Sequence, residues 1–119
     1  MNDNRKDFFQ DLAQRVRDLV VKEKLYLDNR LSLDDVADRL EVSRYYVSHA
    51  VNNYLHKTFV MLVNELRIEE AKRIMKEPGV KKINVISRKV GFTDRSNFNR
   101  TCKRITGFTP SELRDKLKK

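Results

Sequence analysis

Two short segments of the sequence carry polar side chains of the kinds that hydrogen-bond to the edges of DNA bases. Arginine donates two hydrogen bonds to guanine, asparagine pairs bidentately with adenine, and serine or histidine adapts to either. No Asp or Glu occurs from Val42 to Asn64, so the first segment holds no carboxylate that would repel a phosphate. The polar side chains are Arg44, Tyr45, Ser48, His49 and Asn52 in the first segment, and Arg95, Ser96, Asn97, Asn99, Arg100 and Lys103 in the second. For each residue taken singly, the alternative is an ordinary solvated surface position.

The positive charge of the chain is confined to its second half. Residues 1–60 hold 10 Lys/Arg and 10 Asp/Glu, whereas residues 61–119 hold 16 and 7, which accounts for the whole formal net charge of +9. The excess is densest from Lys81 to Arg104, where eight basic residues face one acid, Asp94. A focused basic surface favours a polyanionic partner, with the phosphate backbone the commonest candidate. A solvated basic face without a partner is the alternative.

Several functional classes lack the residues they need. His49 and His56 are the only histidines, and neither has a Ser, Cys or carboxylate partner nearby, so we expect no catalytic residues and no enzyme. The single cysteine, Cys102, can form neither an internal disulfide nor a zinc site, so we expect no metal or other cofactor and a reducing, cytoplasmic setting. No stretch approaches the roughly 20 apolar residues of a membrane span, so we expect no membrane partner. A chain of 119 residues leaves little room for a domain that binds a small-molecule ligand.

Composition and helix-capping signals predict an all-α fold. Three glycines and two prolines among abundant Leu, Lys, Arg and Glu favour helices joined by short turns over a sheet. Ser32 with Asp35, and Thr109 with Glu112, match capping boxes. The predicted helices run from about Phe8 to Leu25, after Ser32 to Leu40, after Ser43 to Leu55, from about Phe59 to Met75, from about Asn84 to Val90, after Thr93 or Asp94 to Ile105, and after Thr109 to Leu117.

An internal repeat relates the second and third predicted helices to the fifth and sixth. Small Ala37 corresponds to small Ser87, where two helices can cross closely. The other matched pairs are Leu40 with Val90, Val42 with Phe92, Val47 with Phe98, and Val51 with Cys102. The second turn holds one extra residue. Each copy is therefore predicted to be a helix, a tight turn and a second helix, the arrangement that presents its second helix to the DNA major groove.

The repeat and its flanking motifs resemble the DNA-binding domain of the AraC/XylS family of transcription regulators. The resemblance covers about Leu31 to Leu117. Its motifs are Leu33-Asp-Asp-Val-Ala37 with Val42-Ser43-Arg-Tyr-Tyr-Val47, Leu66-Arg-Ile-Glu-Glu-Ala71-Lys-Arg-Ile-Met75, Val85-Ile-Ser-Arg-Lys-Val-Gly91-Phe92-Thr-Asp94-Arg-Ser96-Asn-Phe98-Asn-Arg100, and Lys103-Arg-Ile-Thr-Gly107-Phe-Thr109-Pro110 followed by Glu112-Leu-Arg114. The resemblance implies two homeodomain-like helix-turn-helix subdomains bridged by a long linker helix. Both recognition helices would enter successive major-groove segments on one DNA face, about 34 Å apart.

The resemblance also implies roles for individual residues. The implied base readers are Tyr45, Ser48, His49, Ser96, Asn97, Asn99 and Arg100. The implied phosphate contacts, which hold register without reading sequence, are Arg44, Lys57, Arg95, Lys103 and Arg104. The predicted domain spans 1–119, with the first subdomain at 8–58, the linker helix at 59–76 and the second subdomain at 80–119. Double-stranded DNA is the predicted partner, and RNA polymerase is a further candidate in a bacterial regulator.

Four residues depart from the family pattern. Val51 and Cys102 stand where the family usually has Phe, so we expect slimmer subdomain cores and a buried, unreactive Cys102. Lys57 replaces a usual Gly after the first recognition helix, which points to a different helix end. Asn97 replaces a frequent aromatic residue, which would change what the second helix reads.

Two alternatives remain open from the sequence. A basic helical adaptor for protein or RNA is the rival function, although it would need neither matched turns nor two acid-free faces. The chain is either a stand-alone regulator or an excised C-terminal part of a longer protein, and the second is favoured because the family normally adds an effector-binding or oligomerisation domain.

Overall fold

Seven α-helices form the described part of the chain, which in the computed structural model comprises residues 3–79 and 82–118. They are α1 (Asp3–Lys22), α2 (Leu33–Leu40), α3 (Arg44–Tyr54), α4 (Phe59–Lys76), α5 (Ile83–Lys89), α6 (Arg95–Thr106) and α7 (Pro110–Leu117), with a 3-10 turn at Leu25–Leu27. No strand occurs in these residues, so the all-α prediction is confirmed. The predicted start of the second subdomain at residue 80, the start of the basic run at Lys81 and the ends of the predicted 1–119 domain lie outside the described residues.

Side-chain caps fix the starts of five helices, and at α4 the Thr58 hydroxyl accepts a hydrogen bond from the Met61 amide at 3.1 Å. The Ser32 hydroxyl accepts a hydrogen bond from the Asp35 amide at 3.2 Å, and the Asp35 carboxylate accepts one from the Ser32 amide at 3.0 Å, which completes the predicted capping box of α2. Thr109 and Glu112 form the same box at α7, and the hydrogen bond from the Thr109 amide lowers the pKa of Glu112. Ser43 caps α3 as predicted. Asp94, rather than Thr93, caps α6.

The first helix differs from its predicted extent. It begins at Asp3, ahead of the predicted Phe8, and ends at Lys22. The backbone of Lys24 takes a positive φ of 53°, which stops the α-helix and leads into the 3-10 turn. Phe9 is buried on the inner side of α1, whereas Phe8 is 43% exposed.

The chain divides into two compact units. The first unit comprises the chain up to Leu25 together with Arg30–Val63, and the second comprises Tyr26–Asn29 and the chain from Asn64 onward. The predicted linker helix at 59–76 is present as α4, but its first turn belongs to the first unit and its remainder to the second. In the first unit α1, α2 and α3 pack on one another, with Leu12, Val16, Val36, Val47 and Val51 fully buried.

A hydrophobic cluster forms the core of the second unit. Its buried members come from α4 through α7: Ile68, Ala71, Ile74, Met75, Ile83, Ile86, Val90, Phe92, Phe98, Cys102 and Leu113. The Phe92 and Phe98 rings lie 5.1 Å apart. Both are residues of the predicted internal repeat.

The two turns of the repeat share one hydrogen-bond pattern. In the first, the Glu41 amide donates to the Asp38 carbonyl and the Val42 amide to the Ala37 carbonyl. In the second, the Gly91 amide donates to the Arg88 carbonyl and the Phe92 amide to the Ser87 carbonyl, fifty residues later in every case. Both turns pass through one residue of positive φ, 58° at Glu41 and 103° at Gly91. This conformation ends the first helix of each pair and satisfies its last carbonyls.

The two turns differ in how closely other residues pack against Glu41 and Gly91. Glu41 is exposed, so a side chain fits there despite the positive φ. At Gly91 a Cβ would lie 2.6 Å from the Tyr26 carbonyl oxygen and 2.8 Å from Arg67 Nε. Glycine is therefore needed at Gly91 for close packing as well as for backbone conformation.

Arg67 holds the segment that lies over Gly91. Its side chain is buried, with Nε donating to the Tyr26 carbonyl at 2.6 Å and Nη2 donating to the Asp28 carbonyl at 2.9 Å. The guanidinium carbon lies 5.6 Å from the centroid of the Phe92 ring. Burial lowers the pKa of Arg67, and the Asp28 charge opposes that shift. One buried cation thus fixes Tyr26–Asn29 within the second unit.

Replacing Gly91 with Ala should destabilise the protein far more than replacing Glu41 with Ala. Gly91→Ala places a Cβ on a left-handed backbone and against the Tyr26 carbonyl oxygen. Together these two effects should lower the free energy of unfolding by about 2–4 kcal/mol. Glu41→Ala keeps the same backbone position without an overlap and should change the free energy of unfolding by less than about 0.5 kcal/mol. Urea unfolding of the full chain measures both. Equal effects would contradict the close packing over Gly91.

Candidate nucleic-acid interface

The outward face of α3 gathers the predicted residues of the first segment. Val47, Ala50 and Val51 are buried on the inner side of the helix, which leaves the other side for polar residues. Tyr45 is 66% exposed. The remaining predicted residues on this helix are Arg44, which is exposed, and Ser48 and His49, which are half-buried. Arg44 Nε lies 3.3 Å from the Asp34 carboxylate, so this cation would have to exchange an exposed ion pair for a phosphate contact.

Aromatic rings from α1 extend this face. Phe9 lies 4.4 Å from the His49 ring between centroids, and Tyr45 stacks on the same imidazole at 6.0 Å with an interplanar angle of 27°. Tyr46 is 42% exposed and contacts Phe8 and Phe9 edge-on. An open concavity of about 350 Å³ lies here, lined by Arg5, Phe8, Phe9, Tyr45, Tyr46 and His49. The contribution of α1 to this face could not be predicted from the sequence, because it depends on how α1 packs on α3.

Hydrogen bonds along α3 order two of its polar side chains. Asn53 Nδ2 donates to the His49 carbonyl at 2.8 Å and lies 3.2 Å from His49 Nδ1. One residue earlier, Asn52 Nδ2 donates to the Ser48 hydroxyl at 3.3 Å. Residues four apart are neighbours on a helix, so the spacing of Asn53 from His49 is a signal that sequence reasoning missed.

Helix α3 ends ahead of Lys57. Its last residue is Tyr54, with Leu55 as the C-cap, and the positive φ of 57° falls on His56. Lys57 is half-buried and follows the helix rather than lying on its outward face.

The outward face of α6 gathers the second predicted set. Phe98, Thr101 and Cys102 are buried on the inner side. On the other side Arg95, Ser96, Arg100, Lys103 and Arg104 are exposed, while Asn97 and Asn99 are half-buried. Asn97 Oδ1 accepts a hydrogen bond from the Thr101 hydroxyl at 3.3 Å. Asn97 therefore lies at the edge of the exposed face, with one of its polar atoms already bonded.

Cys102 is a buried packing residue, as expected from its place in the repeat. Desolvation raises the pKa of its thiol, opposed by a hydrogen bond with Thr106. A buried thiol of raised pKa is a poor nucleophile.

Within residues 3–79 and 82–118, no group of His, Cys, Asp or Glu is suited to hold a metal ion. No helix in the same residues is long and apolar enough to cross a membrane.

Comparisons with known proteins place this geometry among DNA-binding domains. A family model described as a helix-turn-helix domain matches residues 36–116. The chain is 31% identical over 85 residues to YisR, an uncharacterised HTH-type transcriptional regulator of Bacillus subtilis, covering 71% of this chain and 29% of that protein. It spans 29% and 55% of the length of two curated relatives that it matches.

Two solved structures are similar to this chain in both fold and sequence. The C-terminal domain of AraT, a response regulator from Geobacillus stearothermophilus, is 26% identical with a TM-score of 0.78, covering 88% of this chain and 84% of that one. A transcriptional regulator from Chromobacterium violaceum, described among AraC-type DNA-binding domain-containing proteins, is 29% identical with a TM-score of 0.67, covering 73% and 77%.

Proposed function

The chain belongs to the AraC-type family of helix-turn-helix transcription regulators and is a domain that binds double-stranded DNA. From that premise, we propose that it reads a specific DNA sequence with the outward faces of α3 and α6. The observation that carries the proposal is the repeated turn. Glu41 and Gly91 use the same hydrogen bonds, and each turn precedes a helix whose outer face is polar and free of carboxylates. Each face would enter a segment of major groove.

Side-chain chemistry supports separate roles for the polar residues. We assign base reading to Tyr45, Ser48 and His49 on α3, and to Ser96, Asn97, Asn99 and Arg100 on α6. We assign phosphate contacts to Arg44, Lys57, Arg95, Lys103 and Arg104. Because residues 1–60 carry no net charge, the second unit would supply most of the electrostatic attraction and the first would contribute selectivity.

The proposal extends to the whole regulator. Its family consists of DNA-binding regulators rather than enzymes, and we propose that this chain likewise has no catalytic role and acts in the cytoplasm. RNA polymerase is the further partner proposed for the whole protein. The rival function, an adaptor for protein or RNA, has no equivalent need for two matched turns.

Selection from random duplex DNA should enrich one sequence that contains two short conserved blocks. The chain should bind that duplex with a Kd of about 1 µM or tighter, and raising salt from about 50 to 200 mM should weaken binding by about 10²–10³, since five phosphate contacts release condensed counterions. Single-stranded RNA of matched length is the control. Equal affinity for every duplex, or tighter binding to the RNA, would contradict the proposal.

Arg100→Ala and Arg104→Ala should weaken DNA binding in different ways. Loss of the proposed base contact of Arg100 should cost about 1–3 kcal/mol and relax preference at one base pair. Loss of the proposed phosphate contact of Arg104 should weaken binding to all duplexes alike and reduce the salt slope by about 1. Affinities for a panel of single-base variants of the selected duplex separate the two. Uniform weakening by Arg100→Ala would reassign that residue to phosphate contact.

A further inference from the structure

We propose that Asn53 fixes the tautomer of His49, so that this histidine presents an Nε2–H donor and reads a hydrogen-bond acceptor in the major groove. The reading part of this inference rests on the proposed function of α3. Asn53 is then a positioning residue that shapes the base preference of the chain without touching a base.

The orientation of the Asn53 amide follows from its bond to the backbone. Its Nδ2 lies 2.8 Å from the His49 carbonyl oxygen, which can only accept a hydrogen bond. A flipped amide would place an oxygen against that oxygen. The donor end of the Asn53 side chain therefore faces His49.

The same nitrogen determines which ring atom of His49 carries the proton. Asn53 Nδ2 lies 3.2 Å from His49 Nδ1 and has only hydrogens to offer, so Nδ1 must accept with its lone pair. In a neutral imidazole whose Nδ1 accepts, the proton is on Nε2. His49 thus keeps Nε2–H as its free donor.

Ring contacts limit the freedom of this imidazole. Phe9 from α1 lies 4.4 Å away at 58°, and Tyr45 stacks 6.0 Å away on the same helix. His49 is half-buried as a result, whereas Tyr45 stays exposed. The tautomer and the ring position of His49 are therefore set before DNA binds. This lowers the entropy cost of ordering the side chain for a base contact.

A fixed Nε2–H donor divides the major-groove atoms into two classes. Purine N7, guanine O6 and thymine O4 are acceptors that it can bond, whereas adenine N6 and cytosine N4 are donors that it would oppose. We assign His49 to one of these acceptors. Purine N7 is the acceptor that base substitution tests most directly.

The tautomer is tested first on the free chain, by long-range ¹H–¹⁵N NMR of the two imidazoles at about pH 8.5, where histidine is ordinarily neutral. Wild-type His49 should show the Nε2–H pattern. Asn53→Asp replaces the donor by an acceptor and should move His49 toward the Nδ1–H form. Asn52→Asp is the matched control, since it adds the same charge one residue away and should leave His49 unchanged. An Nδ1–H pattern in the wild type, or the same His49 spectrum in both variants, would overturn the proposal.

The reading role is tested on the selected duplex with single 7-deazapurine or O4-lacking thymine substitutions. The wild type should lose at least about fivefold in affinity at one position, and His49→Ala should lose that sensitivity there and nowhere else. Sensitivity that persists in His49→Ala overturns the reading role. If no preferred duplex exists, the proposed function fails and the reading role with it, while the NMR comparison still decides the tautomer.

Discussion

Both candidate reading faces depend on a single backbone residue of left-handed conformation between two helices. At Glu41 and at Gly91 this residue ends the first helix of a pair, and the amides that follow return to carbonyls of its last turn. The second helix then starts in a fixed direction, with Val47 or Phe98 buried beneath it. Because one side of that helix is committed to the core, its polar residues are forced to the other side, where a duplex can meet them.

The second pair carries an additional constraint that the first lacks. Arg67 holds the backbone of Tyr26 and Asp28 over the turn, and only a glycine at position 91 leaves room for it. The Arg67 guanidinium also lies over the Phe92 ring. One side chain therefore contacts the core, the turn at Gly91 and the Tyr26–Asn29 segment. The unit with this more closely packed turn also carries the excess positive charge. Under the proposed function, that unit would hold the phosphate backbone and the near-neutral first unit would add selectivity.

Local chemistry could be predicted from the sequence, and distant contacts could not. The caps at Ser32, Ser43 and Thr109 involve residues three apart, so composition and spacing sufficed. The docking of Tyr26–Asn29 joins residues about forty apart through Arg67, and nothing near either end signals it. The contact of Phe9 with His49 could not be predicted for the same reason, since it depends on how α1 packs on α3. The outward faces of α3 and α6 were predictable because periodicity assigns the buried side. The hydrogen bonds of Asn53 and Asn97 join residues four apart, so their spacing indicates the partners, whereas the bonded atoms required coordinates.

The central claim is that α3 and α6 read one duplex together, and backbone amide NMR of the full chain with and without the selected duplex tests it most directly. The account predicts large shift changes on the outward residues of both helices, from Arg44 to Asn53 and from Arg95 to Arg104, with small changes in α7. Changes confined to one of the two helices, or concentrated in α7 while both faces stay unperturbed, would contradict it.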